Sequence, residues 1–124
     1  MNIIIIDQNI IYRESLRTAL DQIPDFKVVF DMDNPGSLEN INNIQVHLIL
    51  IDYSFGKIKC NETMMKAVSL WPGVKFLLLS TYKEECNLNS IKTIDFMLKN
   101  SSKKEFENKI RNQQSASKNE MIKM

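Results

Sequence analysis

Residues Ile3 to Ile6 are four isoleucines in a row, stopped by Asp7. Branching at Cβ favours extended backbone, and an apolar run without polar alternation suits a strand covered on both faces. The same signature returns at residues 46–51, stopped by Asp52, and at 74–79, stopped by Ser80. Weaker strand-like stretches lie at 27–30 and 94–98. Strands buried on two sides are typical of parallel sheets layered between helices.

The intervening segments read as helices. Between residues 10 and 23, Ile10, Ile11, Leu16, Ala19, Leu20 and Ile23 fall close to helical spacing, with Asn9 as N-cap and Pro24 as stop. Asn34-Pro35-Gly36-Ser37 is turn chemistry leading to a short helix over 38–44. A helix over 62–70 is closed by Trp71-Pro72-Gly73. A short helix near 83–91 and an amphipathic one over 102–110 complete the series, the latter opened by a Ser102/Glu105 capping box. Strand and helix therefore alternate five times, which predicts a doubly wound α/β fold with a five-stranded parallel sheet and helices on both faces. Residues 1–111 form the predicted domain. Residues 112–124, polar and aperiodic, are expected to be a flexible tail or the start of a linker.

Composition narrows the function classes. At 124 residues the chain is one domain, and 44% hydrophobic with 25% charged residues is an ordinary globular mixture. A net charge of +1 offers no electrostatic case for direct nucleic-acid binding by this chain. Cys60 and Cys86 stand far apart with no Cys/His cluster, as expected of free thiols in a reducing compartment. The apolar N-terminal run is too short for a membrane span and lacks a basic leader, so a cytoplasmic location with no membrane partner is expected.

The chemistry is expected at strand ends. In doubly wound sheets, ligands bind beyond the carboxyl ends of the strands. Here those ends carry Asp7-Gln8, Asp52, Ser80 and Lys99. A carboxylate that attacks a phosphoryl group brings negative charges together, and a divalent cation neutralises them. Asp7 and Asp52 are suited to share a hard cation such as Mg²⁺. Lys99 is suited to hold a phosphoryl oxygen and Ser80 to donate a hydrogen bond to another, with Thr81 as a neighbouring hydroxyl.

The segments NIIIIDQNIIYRESLRTALDQIPDFKVV, VHLILIDYSFG, VKFLLLSTY and DFMLKNSS resemble the receiver domain of two-component response regulators, especially the kind fused to LuxR-type helix-turn-helix domains. Together they cover residues 2 to about 111. The resemblance implies a flavodoxin-like sheet of order 2-1-3-4-5. It matches Asp52 to the phosphorylated aspartate, Asp7 to the first residue of the acidic pair, Ser80 to the switch hydroxyl, Lys99 to the lysine and Phe96 to the aromatic switch residue. It also implies a histidine kinase as phosphoryl source and an output domain, output protein or second copy as partner.

The departures are specific. Gln8 stands where the family has its second acid, so it is a weak cation ligand with one charge fewer. The stretch YSFGKIKCNE lacks the familiar proline and the particular glycine that shape the family's loop after the phosphoacceptor. The span from Ser80 to Lys99 is about three residues short, which clips the fourth helix. These changes favour an alternative function, a degenerate receiver that binds protein or dimerises without phosphorylation.

An enzyme in the usual sense is not expected. The chain has three glycines, no Gly-rich phosphate loop and no nucleophile elbow. His47, the single histidine, opens a strand at the end of the sheet opposite Asp52 and is not read as a phosphorelay group.

Overall fold

In the computed structural model, the structure describes residues 1–41, 43–82 and 95–123. Strands β1 (Asn2–Ile6), β2 (Lys27–Met32), β3 (Leu48–Asp52), β4 (Lys75–Ser80) and β5 (Asp95–Leu98) form one sheet of order β2-β1-β3-β4-β5. Every neighbouring pair is parallel, with one irregularity of register between Ile3 and Ile4 against β2. The described helices are α1 (Ile10–Asp21), α2 (Lys57–Leu70) and α3 (Lys103–Lys123). The doubly wound α/β expectation and its strand order are borne out.

Alternation along the strands sorts the side chains into two cores. Ile3, Ile5, Leu48, Leu50, Leu77 and Leu79 meet Leu16 and Leu20 of α1 and Phe106 and Ile110 of α3. On the other face, Ile4, Ile6, Ile49, Ile51 and Leu78 meet Cys60, Met64 and Ala67 of α2, together with Trp71. All four isoleucines of β1 are fully buried, as a run without polar alternation requires.

Local signals set several boundaries. The Asn9 side chain accepts from the Tyr12 N–H at 3.0 Å and caps α1. At the start of α3, Ser102 and Glu105 each accept the other's backbone N–H, at 3.1 and 2.9 Å, completing the capping box. The Glu105 carboxyl is held below the usual range by the Ser102 backbone and hydroxyl hydrogen bonds. Trp71 Nε1 donates to the Ile44 carbonyl at 2.9 Å and ties the end of α2 to the approach to β3.

Three expectations are corrected. The short helix over 38–44 is a 3₁₀ segment at Pro35–Asn40, and Asn43 has φ of 62°, outside right-handed helix. Helix α2 begins at Lys57 rather than near residue 62, because nothing after Gly56 breaks a helix. The expected tail from Asn112 is helical: α3 runs to Lys123 through a stretch free of Gly and Pro. Gln113, beyond the expected boundary at 111, donates to the Phe76 carbonyl and to Asp95, each at 3.2 Å. The helix expected near 83–91 lies outside the described residues, as does Cys86.

Candidate functional site

The carboxyl ends of β1, β3, β4 and β5 lie along one rim of the sheet. Asp7 leaves β1 and Asp52 closes β3, both buried, at 0% and 3% exposure. Lys99 follows β5 and reaches between them. Its Nζ lies 2.7 Å from Asp7 Oδ2 and 3.1 Å from Asp52 Oδ2. Burial alone disfavours the ammonium, but hydrogen bonds and charge from Asp7 and Asp52 outweigh it and raise the Lys99 pKa.

Each carboxylate is also held locally. Asp7 Oδ1 accepts from the Asn9 N–H at 2.8 Å, and its backbone carbonyl accepts from Arg13 Nη1 at 2.7 Å. Asp52 Oδ1 accepts from the Ser54 N–H at 3.0 Å, while Oδ2 takes the Ser54 hydroxyl at 2.7 Å. Cys60 Sγ lies 3.7 Å from the Asp52 carbonyl as a weak donor. Burial, then the Asp52 charge, pushes that thiol up to about 11.

Ser80 ends β4, fully buried and one residue beyond Leu79, the partner of Asp52 across the β3–β4 pair. Its carbonyl accepts from the Lys99 N–H at 2.8 Å, so main chain joins hydroxyl-bearing and ammonium-bearing residues. Thr81 is exposed. Phe96 lies half-buried on the α2 side and packs edge-on against Tyr53, with centroids 5.2 Å apart. Gln8 is exposed and makes no hydrogen bond among the described residues. Of the predicted residues, Asp7, Asp52 and Lys99 meet directly, Ser80 adjoins them, Phe96 flanks them, and Gln8 stands apart. His47 is exposed at the far end of the sheet, where its Nδ1 accepts from the Asn2 N–H at 2.9 Å.

Four residues around the site escaped the sequence reading. Ser54 donates its N–H and hydroxyl to Asp52, the N-cap of the turn that follows; a serine two positions after an aspartate is a known turn pairing and was the available signal. Tyr53 packs on Phe96. Arg13 spans α1, β1 and β2 by donating to Asp7 and, at 2.7 Å, to Asp31. The Tyr12 ring lies under Lys99, with Nζ 5.0 Å from its centroid.

No protein-family model matches the sequence. The chain is 20% identical to the signal receiver domain of NarL from Mycobacterium tuberculosis, with a TM-score of 0.71 over 90% of this chain and 93% of that one. The fold is that of a response-regulator receiver domain. A response regulator from Thermotoga maritima superposes on this receiver fold with a TM-score of 0.74, at 19% identity over 92% of this chain and 97% of the other. The RcsB response regulator of Salmonella typhimurium gives 0.70 at 19% identity, over 94% of this chain and 60% of the other. In sequence, the chain is 30% identical over 86 residues to the transcriptional regulatory protein DegU of Brevibacillus brevis. That match takes in 68% of this chain, which spans only 36% of the length of that relative. Among the described residues, no helix is long and apolar enough to cross a membrane.

Proposed function

We propose that this receiver-fold domain accepts a phosphoryl group on Asp52 from a histidine kinase and thereby switches its affinity for a protein partner. The observation that carries this reading is the Lys99 ammonium paired with both buried carboxylates, 2.7 Å from Asp7 and 3.1 Å from Asp52. A cation already sits where two carboxylates converge, so Asp7 and Asp52 fit a small divalent ion that keeps several waters, as Mg²⁺ does. When bound, Mg²⁺ supplies positive charge against the carboxylates and the incoming phosphoryl oxygens.

The chain's own groups do the rest. The Asp52 carboxylate is the nucleophile: an O–P bond forms as the P–N bond of a phosphohistidine breaks, and the imidazole takes up a proton. The Ser54 N–H and hydroxyl orient that carboxylate. Lys99, which stays protonated at neutral pH, and Ser80 are the donors for phosphoryl oxygens. Phe96 and Tyr53 relay the change to the surface beside β5. The outcome is a population shift, not turnover of a substrate, so we assign no enzyme activity in the usual sense. The partners are a histidine kinase upstream and, downstream, an output protein, an output domain or a second copy. We place the domain in the cytoplasm and assign it no nucleic-acid contact of its own, in keeping with its net charge of +1.

A second reading is favoured by Gln8, whose exposed amide replaces an acid, and by Ser54, which donates to both oxygens of Asp52. In that reading the domain is a phosphorylation-independent binding or dimerisation module. Intact-mass spectrometry after incubation with acetyl phosphate and Mg²⁺ separates the two. A gain of one phosphoryl group in the native protein and none in Asp52→Asn supports the first. No gain in either, with an unchanged circular-dichroism spectrum, leaves the second.

A further inference from the structure

We propose that Tyr12 is a positioning residue of this site, its ring face being the seat that holds the Lys99 ammonium against Asp7 and Asp52. The functional meaning of this seat rests on the reading above, but the contact itself does not. The ammonium has two carboxylates on its polar side and the Tyr12 ring 5.0 Å away. An aromatic face carries negative quadrupolar charge and attracts a cation most strongly where water is sparse. Here both carboxylates are buried, and only 17% of the Lys99 side chain is exposed.

The ring, not the hydroxyl, is what Tyr12 contributes. Its buried Oη has no hydrogen-bond partner among the described residues. Burial first, then the charges of Asp7 and Asp52, hold the phenol well above its ordinary pKa, so no phenolate forms to pair with the ammonium. The ring is placed by the backbone instead. The Tyr12 N–H is fixed on the Asn9 cap, and Arg13 next to it grips both the Asp7 carbonyl and Asp31. The loop that aims Asp7 therefore also aims the ring. Were Asp7 and Asp52 to hold a divalent ion, the ring would keep the ammonium beside the site for a phosphoryl oxygen.

Tyr12 and Lys99 both line a cleft of about 210 Å³ between α1 and the start of α3. The test is competitive acetylation of lysines by acetic anhydride at neutral pH, read peptide by peptide in native protein, Tyr12→Phe and Tyr12→Leu. Exposed Lys104 serves as the internal reference. Lys99 should react at the same slow relative rate in native protein and Tyr12→Phe, and about threefold or more faster in Tyr12→Leu, which keeps apolar bulk without a ring. Equal Lys99 rates in the Phe and Leu variants, whether both slow or both fast, overturn the proposal. Tyr12→Met makes the same comparison if the Leu variant loses its circular-dichroism spectrum. This labelling needs neither metal nor phosphoryl donor, so it stands even if Asp52 accepts no phosphoryl group. In a domain that does accept one, Tyr12→Leu should slow phosphorylation of Asp52 at least threefold, yet add nothing in a Lys99→Met background.

Discussion

Arg13 holds two things at once: the carbonyl of Asp7, from which the site's first carboxylate projects, and Asp31 on β2. Arg17 joins the same aspartate. Burial works against ionised Asp31, but hydrogen bonds and charge from Arg13 and Arg17 prevail and lower its pKa. A carboxyl with a depressed folded pKa stabilises fully above its ordinary pKa near 4, and that stabilisation is lost as pH falls through the lowered value. Asp31→Asn should therefore cost about 1–3 kcal/mol in urea unfolding at pH 7, with the gap to native narrowing at pH 3. Lys99 has the opposite sign. Its raised pKa contributes fully at neutral pH, and the contribution is lost only as pH climbs above the ordinary lysine value near 10.4. Cys60, buried and with its thiol pushed up to about 11, should resist iodoacetamide at pH 8 in the folded protein and react once urea unfolds it. Rapid alkylation of Cys60 in the native chain, read by peptide mapping to separate it from Cys86, would contradict the packing around Asp52. Tyr12→Phe removes a buried hydroxyl without a described partner, so its melting temperature should stay level or rise.

At the scale of elements, Gly56 is the position where backbone conformation dictates the residue. With φ of 96° and ψ of 157° it precedes α2 in a region essentially confined to glycine. A Cβ there would meet nothing within 4 Å, so Gly56→Ala should cost about 1–3 kcal/mol through conformation alone, measurable by urea titration. This also bears on which elements were readable beforehand. β1, β3 and β4 fell within two residues of their expected bounds because β-branched and apolar runs report burial on both faces directly. β2 runs two residues further than its apolar stretch, since Asp31 and Met32 stay in the strand by pairing with Ile5 and Ile6 of β1. The start of α2 and the length of α3 were missed for a related reason: the first turn of α2 mixes two lysines with an exposed Ile58, and the last turns of α3 are polar, so neither carries a clear period. The site divided the same way. Asp7, Asp52, Ser80 and Lys99 were legible because each stands at the end of a strand. Tyr12, Arg13 and Tyr53 act across elements, through contacts that no local pattern encodes.

For the molecule as a whole, one sheet carries a separate cluster of buried side chains on each face among the described residues. Leu20 belongs to the core under α1 and α3, whereas Trp71 belongs to the one under α2. If the two faces unfold together, Leu20→Ala should lower stability by about 2–5 kcal/mol and shift the Trp71 fluorescence transition as far as the far-UV circular-dichroism transition. Separate midpoints for the two signals would mean that the α2 face survives the loss of the other.

The position of β5 in the sheet bears on how the site opens. Among the described residues it is a four-residue edge strand paired with β4 alone, and the ammonium that compensates Asp7 and Asp52 follows directly from it. Short edge strands ordinarily fray first. Fraying here would carry away the countercharge of two buried carboxylates and leave them facing each other in a poorly hydrated place. The repulsion falls on the opened form, so the edge is clasped by charge as well as by backbone hydrogen bonds. A cation that satisfied the two carboxylates would remove that clasp, and occupancy of the acidic site would then loosen the strand beside it.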